Sequence, residues 1–171
     1  MARYDIVPER SQVWIDATSS LHPVHSRTDG LEGFVELEVQ RDGQVDLRIA
    51  PQGRLSLPVE RLSSRSRLED QELRRRIDAR RYRSIDGRLV EMRATGRDGR
   101  YLVCGEVTFR GVTNSHEDEM TIAQLDDATL QLDGRSTFDI RDFGMEPPRI
   151  LMLRVHPQVV VTVSIVARRK D

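Results

Sequence analysis

The chain has 171 residues, with 27 Lys and Arg against 28 Asp and Glu, so its formal net charge at pH 7 is -1. This length predicts a single domain over residues 1–171. The balanced charge gives no reason to expect nucleic acid or an anionic membrane as a partner. We find no integral membrane segment and no signal-peptide pattern, and we therefore expect a cytoplasmic protein.

Apolar and polar residues alternate over many short segments, which is the pattern of half-buried β-strands. Turn-forming pairs such as Asp42–Gly43 and Asp98–Gly99 separate the segments. Together they predict an all-β fold, either an antiparallel sandwich or a barrel. The predicted strands lie near residues 13–15, 35–39, 45–49, 55–57, 90–94, 101–112, 120–125, 128–140 and 159–167.

The segment after the first strand, residues 19–33, is predicted to be a loop that carries His22 and His25. A metal site needs three or four ligands in a suitable geometry, and the other histidines, His116 and His156, are far away in sequence. We interpret His22 and His25 as ordinary loop histidines, and we expect no metal and no cofactor.

One segment has helical rather than strand spacing. Residues 68–82, LEDQELRRRIDARRY, place acidic side chains early and arginines late, as the helix dipole favours. Ser66 and Glu69 form a candidate capping box at its start. The pattern predicts one short helix inserted between strands, with its arginine run on a solvated face or, less often, binding phosphate.

The stretch GEVTFRGVT, residues 105–113, continues the alternation of Val103 through Val107 and Phe109. Glycine inside a strand marks a bend or a close backbone approach, which a sheet that curls on itself needs. We therefore predict a curved strand with Gly105 and Gly111 at its bends. The single cysteine, Cys104, cannot form an internal disulfide and is interpreted as a small buried or half-buried side chain.

Two later segments carry charge or unusual apolarity. His116–Glu119 is predicted to begin a strand whose polar side faces water, and Asp139, Arg141 and Asp142 are predicted to fix a turn through charge pairing. Residues 159–166 are nearly continuous apolar sequence, so this strand is expected to be covered on both faces. An exposed apolar patch near Val160, Thr162 and Val166 would indicate a homodimer.

Several landmarks occur in one order along the chain: Ser11–Gln12–Val13, Gly33–Phe34, the helix followed by RIDARRYRSID, YLVCGEVTFRGVT, and STFDIRDFGM at residues 136–145. In this order they resemble the YceI-like family of lipocalin-like polyisoprenoid-binding proteins, over residues 4–167. GEVTFRGVT and IRDFGM are the specific parts of the resemblance. It implies an eight-stranded antiparallel barrel whose long cavity holds an apolar tail of the quinone or prenyl phosphate type, and a possible homodimer.

The prediction that follows is a binder or carrier of an isoprenoid or similar apolar small molecule, with no catalytic residues. A set of apolar side chains is predicted to bind the ligand: Val35, Leu37, Val90, Met92, Val103, Val107, Phe109, Phe138, Phe143, Val161 and Val163. Arg74 and Arg141 are predicted to hold the head group, with Arg27 and Arg75 as further candidates.

Two alternatives remain open from the sequence. One is a barrel-pocket enzyme of the cyclase or isomerase type that acts on an apolar intermediate, which an Asp, Glu or His with a strongly shifted pKa beside the pocket would support. The other is an interaction module whose cavity has closed. The side chains that fill a core and those that line a ligand cavity are the same, so the sequence does not separate them.

Overall fold

A computed structural model of the chain describes residues 1–64, 66–150 and 153–171. In these ranges the secondary structure comprises β1 (Ala2–Ile6), β2 (Gln12–Ser19), β3 (Val24–Thr28), β4 (Glu32–Leu37), β5 (Gln52–Pro58), α1 (Arg67–Ile77), β6 (Ser84–Ala94), β7 (Arg100–Phe109), β8 (Val112–Asp126), β9 (Thr129–Asp139), β10 (Arg149–Ile150) and β11 (Leu153–Arg169). Within the same ranges, no helix has the length and apolarity needed to cross a membrane.

The sheet closes on itself through β1, which pairs with β4 on one side and with β11 on the other. β1 and β2 are successive pieces of one barrel strand, because both pair with β11 and only a 3-10 turn, Pro8–Arg10, separates them. β3 and β4 are related in the same way, since β3 pairs with β2 and β4 with β1. Counting each pair as one strand gives a closed eight-stranded antiparallel barrel, which confirms the predicted fold.

One end of the barrel, which we call the loop end, is covered by residues 38–51. The predicted strand at residues 45–49 is wrong, because this segment forms turns and a single bridge between Val39 and Val45. The Tyr101 hydroxyl accepts a hydrogen bond from the Val45 backbone N–H over 2.8 Å and donates to Gln44 Oε1 over 3.1 Å. Polar side chains thus take the place of a strand ladder and hold the segment across the barrel.

The other end, which we call the helix end, carries α1 and the short 3-10 turns Val59–Arg61 and Ile140–Phe143. Ser66 caps α1 as predicted, since its side chain accepts a hydrogen bond from the Glu69 N–H. The helix ends at Ile77, five residues before the predicted Tyr82, because Asp78 adopts a left-handed conformation with φ of 60°. A separate apolar cluster packs here: Val59, Leu62, Ile77, Ala79, Phe109, Phe143 and Met145.

The stretch predicted as one strand over residues 101–112 is two strands joined by a tight hairpin. Phe109 pairs with Val112, and the two residues between them have positive φ, 52° at Arg110 and 74° at Gly111. This is the two-residue turn whose twist matches antiparallel strands. Gly105 lies inside β7 as predicted, but Gly111 belongs to the turn, so the prediction that it bends a strand is wrong.

The segment between the first predicted strands is also more regular than expected. Residues 24–28 form β3, so His25 lies on a strand and not in a loop. Gly33 is the second residue of β4 and has φ of 143°, and a Cβ at this position would lie 2.0 Å from the Arg54 backbone oxygen. The close approach of β4 to β5 therefore requires glycine at position 33.

Candidate functional site: the barrel cavity

The interior of the barrel contains a cavity of about 390 Å³ between the loop end and the helix end. This volume lies in the range of small-molecule sites. Its lining is mainly apolar and comes from the inward side chains of nearly every strand, with Leu73 and Ile77 of α1 at the helix end. The cavity also reaches Ser64, Glu69 and Asp70, at the start of α1.

All but two of the apolar residues that we predicted for the site line this cavity. They are Val35, Met92, Val103, Val107, Phe109, Phe138, Phe143, Val161 and Val163. Phe109, Phe138 and Phe143 form an aromatic group, with centroid separations of 5.8 Å and 6.4 Å to Phe143. The fourth phenylalanine, Phe34, carries the Arg3 guanidinium over its ring at 3.9 Å.

Val90 does not line the cavity, and the residue is 52% exposed. The cause is a β-bulge in β6, where Leu89 pairs with Gly105 and Glu91 with the preceding residue of β7, Cys104. One residue is therefore extra on β6, and the side-chain alternation changes phase there. Leu89 and Met92 face inward on either side of the bulge, and the inward placement predicted for Val90 is wrong.

Leu37 is fully buried but lies outside the cavity lining. It belongs to the main apolar cluster of the barrel, whose buried members also include Tyr4, Val45, Tyr101 and Leu130. The alternation along β4 correctly predicted that Leu37 points inward. Its position along the barrel axis, however, puts it among buried side chains and not beside the cavity.

Neither arginine predicted to hold a head group lies at the cavity. The Arg141 guanidinium forms a bidentate salt bridge with Asp139. These hydrogen bonds hold the pKa of the Asp139 carboxyl below its usual range. Asp139 also caps the 3-10 turn, so the predicted charge-paired corner is present. Arg74 turns towards the Glu60 carbonyl, while Arg27 and Arg75 are exposed and outside the lining.

Arg54, Arg88 and Arg135 are among the residues that border the cavity, but all three are exposed. Each lies between two residues of its strand that line the interior, such as Gly87 and Leu89 on either side of Arg88. Side chains of adjacent strand residues point to opposite faces, so the three guanidinium groups project outside the barrel. Arg88, for example, pairs with Glu106 over 3.0 Å.

The barrel wall is incompletely paired between β8 and β9. Their ladder runs from Asp126–Thr129 to Met120–Gly134, and in the described structure it does not continue to residues 112–119 and 135–139. The first of these segments still pairs with β7 and the second with β11. We call this part of the wall the β8–β9 gap.

Two polar side chains of β8, His116 and Asp118, line the cavity at the β8–β9 gap. The His116 ring stacks on Phe138 with centroids 4.3 Å apart, and its Nε2 lies 3.1 Å from Asp118 Oδ2. This run was predicted to keep its polar side in water, and Glu117 and Glu119 are exposed as expected. His116 and Asp118 instead border the cavity, with side chains that remain 30% and 41% exposed. The phase of the alternation indicates the inward placement of His116 and Asp118, because Met120 and Ile122 are two and four residues beyond Asp118 and face inward.

The other reactive side chains lie away from the cavity or from one another. His22 is near Glu69, and His25 pairs with Asp16 on the outer face. Cys104 is half-buried and donates to Glu117, and this hydrogen bond raises the pKa of the thiol. In the ranges that the structure describes, no three His, Cys, Asp or Glu side chains come together as metal ligands would.

Comparisons with known proteins bear on this arrangement. The family model of the YceI-like domain matches residues 4–167, which is nearly the whole chain. The chain belongs to the YceI-like family. Among curated proteins, no sequence relative matches it.

Solved structures show the YceI-like fold in proteins of low sequence identity. BcnA of Burkholderia cenocepacia superposes with a TM-score of 0.77 at 15% identity, over 95% of this chain and 99% of that one. A polyisoprenoid binding domain from Saccharophagus degradans, described as implicated in plant cell wall breakdown, gives a TM-score of 0.77 at 12% identity, over 99% and 100% of the two chains. The YceI protein of Campylobacter jejuni gives 0.66 at 10% identity, over 85% of each chain.

Proposed function

We propose that this YceI-like chain binds an isoprenoid or similar apolar small molecule inside the barrel. The observation that carries the proposal is the 390 Å³ cavity, lined by inward apolar side chains from both sides of the barrel. Membership in the YceI-like family and the structural likeness to a polyisoprenoid binding domain support it. Burial of the ligand would contribute about 25 cal/mol per Å² of apolar surface removed from water.

The enzyme alternative has no observation in its favour. The Asp, Glu and Cys side chains with displaced pKa values in the described structure are Asp46, Glu72, Cys104, Asp126 and Asp139, and all lie outside the cavity lining. Their pKa values follow from hydrogen bonds, as in the pairing of Glu72 with Arg76 at the surface of α1. The alternative of a closed cavity is likewise not favoured, because the interior space is present.

The direct test compares two Val→Phe variants in binding of geranylgeraniol by the whole chain. Val103 lines the cavity, so Val103→Phe fills part of it and is expected to weaken binding at least tenfold. Val90→Phe adds the same ring to the outer face of the neighbouring strand and is expected to bind like the unchanged protein. No binding to the unchanged protein, or equal losses in the two variants, would overturn the proposal.

A homodimer, a cytoplasmic location and a single domain over residues 1–171 are further parts of this proposal. Trp14, Val160 and Thr162 lie half-buried on the outer face of β2 and β11, which supports a contact between copies. Val166 was predicted in the same patch, but it is 4% exposed beside residues 7–11, whose Val7 N–H donates to its carbonyl. Light scattering of the unchanged protein and of Val160→Asp tests the dimer, and a monomeric unchanged protein would contradict it.

A further inference from the structure

We propose that the β8–β9 gap is the site for the polar end of the ligand, and that it selects a head group that donates a hydrogen bond over one that carries negative charge. This inference rests on the proposed function and specifies the ligand class. The residues that would bind the head group are His116 and Asp118, in place of the arginines expected from the sequence.

His116 and Asp118 lie opposite two cavity-lining residues of β9. If the Met120–Gly134 register is extended into the gap, Asp118 falls opposite Ser136 and His116 opposite Phe138. The ring stacking of His116 on Phe138 agrees with that register. All four residues line the cavity, so the gap brings polar atoms to an otherwise apolar interior.

The two side chains also have hydrogen-bonding capacity for a ligand. His116 Nε2 donates to Asp118 Oδ2, which leaves the second carboxylate oxygen as an acceptor for a ligand group. With its proton on Nε2, a neutral His116 ring offers Nδ1 as another acceptor. A hydroxyl, a phenol or an amine supplies the matching donor. A fully ionised phosphate ester has hydrogen-bond acceptors and no donor.

Charge also bears on the choice of head group. The ionisable residues of the lining that share the phase of the inward side chains are His116 and Asp118, with Glu69 and Asp70 at the start of α1. Asp86 and Glu106 also border the cavity, but each lies between two inward residues of its strand, so its carboxylate projects outward, and Glu106 pairs there with Arg88. The arginines that border the cavity project outward, as their exposure shows. The Asp118 side chain is 41% exposed at the gap, so solvent screens its charge in part, but an anion bound beside it would still be repelled, with no inward cation to compensate. The charge pattern therefore favours a neutral or cationic head group.

The experiment compares binding of two ligands with the same hydrocarbon chain, geranylgeraniol and geranylgeranyl phosphate, to the unchanged protein and to four variants. We expect the unchanged protein to bind the alcohol more tightly. Asp118→Asn removes the charge and keeps the size, so we expect about tenfold weaker binding of the alcohol and tighter binding of the phosphate. His116→Gln gives a second measurement that keeps a hydrogen-bonding side chain in place.

Glu119→Gln is the matched control, because it makes the same carboxylate-to-amide change one residue away on the outer face. It is expected to bind both ligands as the unchanged protein does. Equal binding of alcohol and phosphate, unaffected by Asp118→Asn, would overturn this inference while the proposed function stands. Tighter phosphate binding that Arg135→Gln abolishes would also overturn it, by placing the head group on the outer face. If neither ligand binds the unchanged protein, the proposed function itself fails.

Discussion

The two ends of the barrel are closed by different kinds of contact. At the loop end, residues 38–51 are fixed by hydrogen bonds between side chains and backbone, and they lie over buried apolar side chains that include Leu37, which is outside the cavity lining. At the helix end, a short capped helix and 3-10 turns pack over aromatic side chains, and the cavity extends up to α1. Buried hydrogen bonds therefore hold the loop end in place, and we expect local opening motions to concentrate at the helix end.

The largest expected effect comes from a large-to-small substitution that leaves a void in the buried core of the loop end. Leu37→Ala removes a fully buried side chain from filled core, so we expect the free energy of unfolding to fall by about 2–5 kcal/mol. Binding of geranylgeraniol by the folded variant should be unchanged, because Leu37 is outside the cavity lining. Urea denaturation measures the first quantity and equilibrium binding the second.

The control for this variant is Val90→Ala, which truncates an exposed side chain and should change stability by less than about 0.5 kcal/mol. Similar stabilities for the two variants would show that the loop end is not tightly packed around Leu37.

The next effect concerns the hydrogen bonds that hold the loop. Tyr101→Phe leaves the buried Val45 N–H without its acceptor, and we expect a loss of about 1–3 kcal/mol in the free energy of unfolding. Hydrogen exchange should also become faster across residues 38–51. Tyr82→Phe, at a half-buried tyrosine of the helix end, serves as the comparison. Unaltered hydrogen exchange in residues 38–51 would contradict the stabilising role of the Tyr101 hydrogen bonds.

A smaller effect is expected from the helix cap. Ser66→Ala removes the acceptor of the Glu69 N–H and should cost about 1 kcal/mol of helix stability. Hydrogen exchange should become faster in α1 while residues 38–51 stay protected. Ser66→Asp keeps an acceptor and should retain the slow exchange. Faster exchange at both ends in Ser66→Ala would mean that the two ends are not independent.

The smallest effect is a pH dependence that differs between the ends. Arg48 holds the pKa of the Asp46 carboxyl well below its ordinary value through paired hydrogen bonds. Because the folded pKa is depressed, this pair stabilises the fold above the unfolded pKa of about 3.9 and loses that contribution as the pH falls towards the folded value. The stability difference between unchanged protein and Asp46→Asn should therefore shrink below about pH 4.

Asp139 with Arg141 provides the matched pair at the helix end. The Asp139 side chain is 21% exposed against 9% for Asp46, so solvent screens its pair more. Asp139→Asn should show the same direction of change with a smaller amplitude, measured by urea denaturation between pH 7 and pH 2.5. A difference that stays constant with pH for Asp46→Asn would contradict the depressed pKa.

Much of the cavity was predictable because β-strands alternate. Val103, Val107 and Phe109 were identified as inward from their spacing, and the structure places them in the lining. The alternation failed at Val90, where a bulge inserts one residue that only the partner strand reveals. It was misapplied at His116 and Asp118, because their polarity was given more weight than their phase with Met120. Arg74 and Arg141 were chosen for a head group from the charge pattern of the sequence alone. The directions of their side chains, which the fold sets, place both outside the cavity lining.

The antiparallel strands, the capped helix and the resemblance that pointed to an eight-stranded barrel could all be predicted from the sequence. These features depend on residues close in the chain or on an ordered set of motifs, so a single sequence contains them. Only the tertiary structure decided that residues 38–51 form a cover, that Leu37 is filled core, and that β8 and β9 part beside His116. Each of these depends on which strand lies opposite and at what depth, and contacts between residues far apart in sequence set both.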